Sequence, residues 1–295
     1  MIDVHSLTQA FSNGKGIFEV TFQVEKGEVF GFLGPNGAGK STTIRHLMGY
    51  MKPQKGFAKI DGIDTWEKQG KARSKIGYLP GEISFLDGMN GMDFINMMAG
   101  MQGVHDKNRR DELIERLQFN PKTPIRKMSK GMKQKVGIVV TFMHSPDVYI
   151  LDEPTSGLDP LMQKTFVDLV LEEKANGKTF LMSSHSFDEI EKTCDRAAII
   201  KSGRIVTVRN IHELQNIQRK LFDLTLKNIH DLEAIKNTNL SIESINGLSV
   251  RIAIQGNYHE FLQEISKIEI TNINVGNQSL EEIFMNYYDI KEDSQ

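Results

Sequence analysis

Nine residues, Gly34–Thr42, constrain the fold of this chain more than any other segment. They match the pattern G-x-x-x-x-G-K-[ST], follow an apolar run at Val29–Leu33 and precede a helical pattern at Thr43–Met48. A glycine-rich loop between a buried strand and a helix directs backbone N–H groups and the positive end of the helix dipole at a phosphate. The sequence therefore predicts an α/β fold with a phosphate-binding loop. The loop residues are Gly34, Pro35, Asn36, Gly37, Ala38, Gly39, Lys40, Ser41 and Thr42.

Two side chains of this loop have specific predicted roles. Lys40 reaches the β- and γ-phosphates of a nucleotide, and the hydroxyl of Ser41 holds Mg²⁺. A glycine-rich turn of this composition also arises by chance without any ligand. The strand before the loop and the helix after it favour the functional interpretation, so a nucleotide with Mg²⁺ is the predicted ligand.

An apolar run at Val148–Leu151 ends in two carboxylates, Asp152 and Glu153. In enzymes with a phosphate-binding loop, one carboxylate at a strand end completes the Mg²⁺ shell, and Asp152 has that position. Glu153 is then placed to polarise the attacking water. Two acidic residues at a strand end are otherwise an ordinary solvated terminus. Their combination with the loop favours catalysis.

A histidine, His185, follows the strand pattern Thr179–Ser183. A single histidine usually has a structural role. This one lies at the end of a second strand, where a doubly wound sheet holds its nucleotide, and it is predicted to contact a γ-phosphate or the attacking water. Ser186 and Glu189 predict a capping box that opens the next helix and fixes the segment carrying His185.

Short apolar runs alternate with helical patterns from residue 1 to about 208, which predicts buried, mainly parallel strands with helical crossovers. Residues 85 to about 145 lack clear strand patterns and predict a helical insertion. We expect residues 1–208 to form one domain. The apolar runs include Val29–Leu33, Val148–Leu151, Thr179–Ser183 and Ala197–Ile200.

The remainder, residues 210–295, predicts a small α+β domain. Its strand and helix patterns have the order βαββαβ, which is typical of the ferredoxin-like arrangement. The dipeptide Asn246-Gly247 predicts a tight hairpin. Capping patterns beginning at Asn257 and at Ser279 predict the starts of the last two helices.

The overall composition excludes several classes of function. Net charge is −2, from 36 basic and 38 acidic residues, so we expect no nucleic-acid partner. Cys194 is the single cysteine, which excludes an intramolecular disulfide and fits a reducing compartment. The N-terminus has no signal-peptide pattern. The most apolar run, Val136–Met143, is far shorter than the roughly 20 residues of a membrane helix, so any work at a membrane is expected from outside the bilayer.

These motifs together resemble the nucleotide-binding subunits of ABC transporters over residues 1–208. Besides the phosphate loop and the acidic strand end, Met128–Gln134 is similar to the signature loop of that family. Ser156–Asp159 is similar to its dimer-contacting loop, and His185 has its switch position. Phosphate-loop GTPases and kinases lack the signature-like loop.

The resemblance implies a mechanism in which two such domains close head to tail on two ATP molecules. Lys40 and Ser41 of one domain would face Ser129 and Gly131 of the other across the γ-phosphate. Asp159 would link the two sites across the interface.

The resemblance also implies which residues contact Mg²⁺, the attacking water and the adenine base. Asp152 would assist Mg²⁺, and Glu153 would activate water. Phe11 lies where the family stacks an aromatic ring on adenine. The alternative for Phe11 is a core residue on an N-terminal strand.

Two departures from the family pattern affect these roles. Lys130 and Met132 replace a glycine and a glutamine of the signature loop. Gly81 stands where the family has a glutamine that contacts Mg²⁺ and water and relays to the membrane partner. The hypothesis is that Glu82 substitutes as a metal ligand. The alternative is that Glu82 is a solvated loop residue.

Methionines crowd the segment after Gly81. Met97 and Met101 share a helix face by i, i+4 spacing, as do Phe94 and Met98. One interpretation is core filling, since methionine packs irregular gaps. The other is an apolar surface that receives short cytoplasmic helices of a membrane subunit, as the resemblance implies.

Within that family, the single ATPase domain followed by a small C-terminal domain looks like the ATPases of two-component exporters of peptides, drugs or antibiotics. This resemblance implies an integral-membrane permease subunit, a second ATPase domain (a second copy or a paralogue), and a peripheral position on the cytoplasmic face of the cell membrane. The alternative is a non-transport ABC ATPase that acts as an assembly or regulatory factor. The C-terminal domain is open to a role as a ligand sensor or a dimer stabiliser.

Overall fold

The computed structural model of the chain describes residues 1–256 and 258–283, and of residue 217 the backbone alone. The chain divides into two compact units, Met1–Ile211 and His212–Gln295.

The described residues form the following strands and helices. The strands are β1 (Ile2–Ala10), β2 (Gly16–Val24), β3 (Val29–Leu33), β4 (Lys55–Ile60), β5 (Ile63–Asp64), β6 (Ile76–Leu79), β7 (Val148–Asp152), β8 (Thr179–Ser184), β9 (Arg196–Lys201), β10 (Arg204–Asn210), β11 (Lys220–Leu226), β12 (Ile242–Asn246), β13 (Ser249–Ile254) and β14 (Ile270–Asn277). The helices are α1 (Lys40–Leu47), α2 (Gln69–Arg73), α3 (Gly91–Met101), α4 (Asn108–Arg116), α5 (Lys130–Phe142), α6 (Pro160–Ala175), α7 (Phe187–Thr193), α8 (Ile211–Ile217), α9 (Ile229–Lys236) and α10 (His259–Ile265), with a 3₁₀ turn at Ile125–Lys127.

A mainly parallel sheet forms the centre of the first unit. Its strand order is β10-β9-β3-β8-β7-β6, and only the edge strand β10 runs antiparallel to its neighbour. Strands β3, β7 and β8 are buried along their whole length, as expected for a parallel sheet covered on both faces. The predicted α/β class and parallel strands are therefore confirmed.

A second, antiparallel sheet with strand order β2-β1-β4-β5 was not predicted. Its first strands are interrupted by bulges: the register shifts between Val4 and Leu7, and Ser6 and Glu19 have φ of 46° and 55°. A bulge breaks the alternation of apolar and polar residues by which a strand is recognised in a sequence.

Helix α1 lies between the two sheets in one continuous core. Ile44 and Leu47 of α1 are fully buried, with Val4 and Leu7 from β1 and Phe32 from β3. Since the phosphate loop joins β3 to α1, the core immobilises both of its ends.

Helices α3, α4 and α5 lie between β6 and β7, in the segment where the sequence predicts a helical insertion. Phe94 is buried, whereas Met101 is 76% exposed and Met97 and Met98 are half-buried. For Met101 the core-filling interpretation is therefore wrong, because its side chain packs into no interior.

The second unit has the order βαββαβ and the sheet order β12-β13-β11-β14, which is the ferredoxin-like arrangement. The hairpin prediction is confirmed: Asn246 pairs with Ser249, and Gly247 has φ of 62°. The capping box at the last helix is confirmed too, since Ser279 and Glu282 exchange side-chain and backbone hydrogen bonds of 3.1 and 3.2 Å. Asn257 lies outside the described residues, so its capping role stays a prediction.

Within the described ranges, no helix combines the length and the apolar composition that crossing a bilayer requires.

Replacing Phe142 by alanine should destabilise the first unit by about 3–5 kcal/mol. This ring is fully buried at the end of α5, stacks on Tyr149 at 4.5 Å between centroids, and meets Phe166 edge-on at 6.3 Å. Urea unfolding followed by fluorescence of the single tryptophan, Trp66, measures the change, because that residue belongs to the first unit.

The matched control is Leu171→Ala, since Leu171 is 39% exposed on α6. It should change stability by no more than about 0.5 kcal/mol. Equal effects of the two substitutions would contradict the assigned position of the core.

Candidate functional site

Three neighbouring strands end at one edge of the parallel sheet and bring the predicted site together. The register pairs Phe32 of β3 with Ser183 of β8, and Ser183 with Asp152 of β7. The phosphate loop, the acidic pair and the histidine segment each begin where one of these strands stops. In open α/β sheets, this carboxyl edge is where ligands bind.

Two glycines show why the phosphate loop needs residues without a side chain. Gly39 has φ of +115°, a conformation that other residues rarely adopt, and a Cβ there would approach Ile17 to 2.7 Å. A Cβ on Gly34 would lie 2.4 Å from the carbonyl oxygen of Ile200. The loop thereby lies close to β2 of the antiparallel sheet and to β9 of the parallel sheet, which a side chain at either glycine would prevent.

A cavity of about 130 Å³ lies over the loop. It is lined by Pro35, Asn36, Gly37, Gly39, Lys40, Ser41, Thr42 and Glu153. These residues precede and begin α1, so the cavity lies at the helix N-terminus, where free N–H groups and the positive end of the helix dipole favour an anion.

Lys40 is the buried cation of this cavity. Its side chain is 6% exposed, and its ammonium donates to the carbonyl oxygen of Gly34 at 2.6 Å and lies 3.8 Å from Glu153 Oε1. Burial lowers the pKa of Lys40, and the nearby carboxylates of Glu153 and Asp152 oppose that shift. The charge is thus held at the cavity by carboxylates on one side and loop carbonyls on the other.

Asp152 is fixed by two hydroxyl groups. Ser41 Oγ donates to its Oδ2 at 2.9 Å, and Ser183 Oγ donates to its Oδ1 at 2.5 Å. Carboxylate and hydroxyl oxygens are ligands that Mg²⁺ prefers. Two of the three predicted Mg²⁺ ligands, Ser41 and Asp152, therefore lie within one hydrogen bond of each other, and their oxygen donors fit the metal.

Glu153 occupies the centre of the site in a strained conformation. Its φ is +50°, and its N–H donates to both the carbonyl and the hydroxyl oxygen of Ser183, at 3.2 and 3.1 Å. One carboxylate oxygen lies 3.8 Å from the ammonium of Lys40, and the other lies 3.5 Å from His185 Nδ1. A residue in a sparsely populated backbone region, held by its neighbours, is typical of an active site.

His185 is exposed, with 65% of its side chain accessible, so the structural interpretation of this histidine is not supported by burial. The predicted capping box beside it is wrong. Ser186 begins α7 but makes no side-chain cap, and the carboxylate of Glu189 instead accepts a hydrogen bond from Ser184 Oγ at 2.6 Å. In a capping box, the carboxylate of Glu189 would accept from the N–H of Ser186. Here that N–H donates to Ser184 Oγ instead, and Ser184 Oγ donates to the carboxylate.

Phe11 lies in the turn between β1 and β2, and its N–H donates to the carbonyl oxygen of Lys15 at 2.8 Å. Its side chain is 39% exposed. The core alternative for Phe11 is therefore wrong, and contact with an adenine base stays a prediction.

The signature-like loop starts α5. Ser129 is exposed, and its hydroxyl accepts from the N–H of Met132 at 3.2 Å as the helix cap. Gly131 packs against the segment after Glu153, where a Cβ on it would lie 2.5 Å from the carbonyl oxygen of Gly157.

Two further contacts join α5 to that same segment, and sequence reasoning assigned no role to them. Lys130 Nζ donates to Ser156 Oγ at 2.7 Å, and the buried amide of Gln134 donates to the carbonyl oxygen of Pro154 at 2.8 Å. Lys130, which departs from the family pattern of the signature loop, therefore connects that loop to the segment after β7 by a hydrogen bond. Its presence was visible in the sequence, but its partner was not.

Asp159 caps α6, with Oδ1 accepting from the N–H of Met162 at 3.0 Å. Glu82 is exposed and does not line the phosphate-loop cavity. A Cβ on Gly81, by contrast, would lie 3.5 Å from Asp152 Oδ2. Position 81 therefore adjoins the candidate metal ligand, and the role of Glu82 stays a prediction.

The structure thus brings part of the predicted set together at the carboxyl edge of the sheet, and Lys40, Ser41 and Glu153 of it line the cavity. The residues brought together are Lys40, Ser41, Asp152, Glu153 and His185. Residues of the set that do not line the cavity include Phe11, Glu82, Ser129, Gly131 and Asp159. Sequence reasoning missed Ser183, because a serine at a strand end carries no pattern that distinguishes it from any polar terminus.

Comparison with known proteins adds an independent finding. The sequence profile of the family described as "ABC transporter" matches residues 17–156. An uncharacterised ABC transporter ATP-binding protein of Methanocaldococcus jannaschii is 36% identical over 218 residues, which cover 72% of this chain and 79% of that protein. The bacitracin transport ATP-binding protein BcrA of Bacillus licheniformis is 31% identical over 295 residues, covering 97% of this chain and 96% of that protein.

A solved structure described as the ATP binding subunit of an ABC transporter is similar to this chain with a TM-score of 0.67 and 30% identity. The similarity covers 73% of this chain and 92% of that one.

Gly131→Ala should destabilise the first unit by about 1–3 kcal/mol, because the new methyl group meets a backbone carbonyl that cannot turn away. ATP hydrolysis should fall as well, since the start of α5 must move away from Gly157. Trp66 fluorescence during urea unfolding and a steady-state ATPase assay measure the two effects.

Gly100→Ala is the matched control, a glycine on α3 with nothing within 4 Å of its added Cβ. It should raise stability by about 0.5–1 kcal/mol, since alanine favours the helix over glycine. A stable and fully active Gly131→Ala protein would contradict the packing of α5 on the loop after β7.

Proposed function

This chain belongs to the family of ABC transporter ATP-binding proteins, and from that premise we propose that it powers a membrane transporter by binding and hydrolysing ATP between two head-to-tail copies of its first unit. It is an ATPase domain of the ABC type. The observation that carries the proposal is the position of Glu153, between the ammonium of Lys40 and the imidazole of His185 at the mouth of the phosphate loop.

Each residue at the sheet edge has a distinct task in this proposal. The loop N–H groups and Lys40 hold the β- and γ-phosphates of ATP. Ser41 and Asp152 hold Mg²⁺, which when bound neutralises phosphate charge. Glu153 orients the attacking water and accepts its proton, and His185 holds the far side of the γ-phosphate.

The single chain supplies half of this site. Ser129 and Gly131 start α5 and do not line the cavity over the phosphate loop of their own chain. Ser129 is exposed at a helix N-terminus, which favours contact with an anion. In the proposal, this helix start closes over the γ-phosphate bound by a second copy, and Asp159 lies at the contact between the copies.

The second copy also accounts for the role of Lys130. Its bond to Ser156 joins the signature-like loop to the segment that follows Glu153. Movement of the loop that contacts one nucleotide is therefore transmitted to the catalytic segment of the other site.

We propose an exporter as the transporter. The support is the relative BcrA, a bacitracin transport protein, whose similarity extends through the second unit of this chain. The proposed cargo class is peptides, drugs or antibiotics. The proposed partner is an integral-membrane permease, which places this chain at the cytoplasmic face of the cell membrane.

The exposed methionine face of α3 is the proposed contact with that permease. Met101 is 76% exposed, and Met97 beside it is half-buried. Flexible, polarisable methionine side chains adapt to an apolar partner surface. Gly81 has no side chain to relay a signal, so this face provides the contact in the proposal.

Glu153→Gln should trap ATP and stabilise a dimer. The amide keeps the shape of the carboxylate but accepts no proton, so hydrolysis should fall by about 100-fold or more while ATP stays bound. Size-exclusion chromatography with ATP and Mg²⁺ measures the dimer, and phosphate release measures hydrolysis.

Adding Ser129→Arg to Glu153→Gln tests the orientation of the dimer. It should abolish the dimer and leave one ATP bound per chain, because the added side chain obstructs the partner's phosphate. Ser74→Arg, at an exposed serine after α2, is the control and should leave the dimer intact. Loss of ATP binding in Glu153→Gln alone would overturn the role given to Glu153.

Met101→Gln should lower the ATPase activity of the complex purified from membranes and leave that of the isolated chain unchanged. The substitution keeps side-chain length but places a polar group on the contact face, and its melting temperature should match that of the parent, because position 101 is exposed. Leu171→Gln, on the exposed part of α6, is the control. Recovery of the active chain without any membrane protein would favour the non-transport alternative.

A further inference from the structure

A buried carboxyl group, that of Glu189, lies beside the His185 segment and has no role in the proposed mechanism. We propose that Glu189 is a positioning residue which, through the hydroxyl of Ser184, holds His185 in its catalytic place. The inference rests on the proposed function, because it assumes that His185 acts in ATP hydrolysis.

One hydroxyl connects Glu189 to both residues that flank His185. Ser184 Oγ donates to Glu189 Oε2 at 2.6 Å and accepts from the N–H of Ser186 at 3.0 Å. The hydrogen bond between Ser184 and Ser186 therefore closes the turn that carries His185. The hydrogen bond from Ser184 attaches this turn to the buried carboxylate of Glu189. The imidazole itself is largely exposed, so besides the Glu153 carboxylate 3.5 Å from its Nδ1, this backbone positions it.

The anchor is itself rigid. Glu189 lies in α7, where its carbonyl oxygen accepts from Thr193 Oγ1 at 2.7 Å, and Thr193 is buried. The next residue, Ile190, is fully buried against Gly31 of β3, where a Cβ would approach its side chain to 2.9 Å. Because Gly31 has no side chain, α7 packs directly on β3, the strand that leads into the phosphate loop.

The energetics argue against a purely structural role. Glu189 is only 7% exposed, so its carboxyl group is largely removed from bulk water. Burial raises the pKa of Glu189, and the interactions with Ser184 and Thr155 oppose that shift. Burying a carboxyl group costs stability, which an apolar residue of similar volume avoids.

The surroundings of Glu189 connect it to both catalytic segments. It lines a cavity of about 690 Å³ together with Glu153 and His185. Thr155, whose side chain interacts with its carboxyl, follows Glu153 by two residues. One buried group therefore faces the segment that holds the attacking water and the segment that holds the γ-phosphate.

The test is a set of substitutions in the full-length chain, with kcat, the Kd for ATP and the melting temperature measured for each. Glu189→Ala and Ser184→Ala should each lower kcat by about tenfold or more, because small displacements of a catalytic group cost that much. The Kd for ATP should change by less than about twofold, since the phosphate loop is untouched. Glu189→Gln should retain near-parental kcat, because its amide oxygen still accepts from Ser184.

Two further variants identify the route of the effect. In a His185→Ala background, Glu189→Ala should lower kcat by less than about twofold, since there is no imidazole left to position. Glu191→Ala, a half-exposed glutamate two residues along α7, is the control and should leave kcat unchanged.

The outcomes separate this inference from the proposed function. Parental kcat in His185→Ala overturns both. Two outcomes overturn the inference alone. In the first, kcat falls in His185→Ala but stays parental in folded Glu189→Ala. In the second, Glu189→Ala lowers kcat in the His185→Ala background as much as it does in the parent. A lowered melting temperature with parental kcat shows a structural role only and also overturns it. If Glu189→Ala does not fold, Ser184→Ala decides by the same criteria.

Discussion

The parallel pairing of β3, β7 and β8 determines where every polar group of the site lies. These strands end level with one another, so the phosphate loop, Asp152 and Ser183 meet at one edge. The hydrogen bonds from Ser41 and Ser183 to Asp152 then connect the three strand ends through one buried carboxylate. A sheet with another strand order would hold the same residues too far apart for a common ligand.

Two adjacent serines at the end of β8 form hydrogen bonds with different segments of the site. Ser183 contacts Asp152 and the backbone of Glu153, which has a positive φ. Ser184 contacts Glu189 and the backbone after His185. Successive side chains of a strand point to opposite faces of the sheet, so two neighbouring hydroxyl groups serve two different catalytic segments. In the proposed function, these two hydroxyl groups hold the candidate catalytic residues in place.

The helical insertion is attached to the site by the segment after β7. Gly131, Lys130 and Gln134 all contact residues that follow Glu153. In the proposed dimer, this attachment connects the loop that covers one nucleotide with the carboxylate that acts on the other. The departure at Lys130 therefore adds a contact within the chain, and it leaves Ser129 exposed at the helix start.

The sequence by itself determined the local elements whose residues lie next to one another along the chain. These are the phosphate loop between β3 and α1, the acidic end of β7, the parallel core strands and the hairpin at Asn246-Gly247. Each depends on a short pattern with a direct physical cause, such as a glycine-rich turn before a helix or a buried apolar run. Family resemblance added Ser129, Gly131 and Asp159, which no short pattern assigns to a nucleotide.

Only the tertiary structure decided which side chains form pairs across the chain. The capping pattern of Ser186 and Glu189 was misleading, because a hydroxyl from the preceding strand, that of Ser184, competes for the same carboxylate. The bulged β1–β2 sheet, the exposed ring of Phe11 and the support of Asp152 by Ser183 were decided in the same way. A hydrogen bond or a packed surface depends on distances between segments far apart in the chain, and those distances exist only once the strands have aligned.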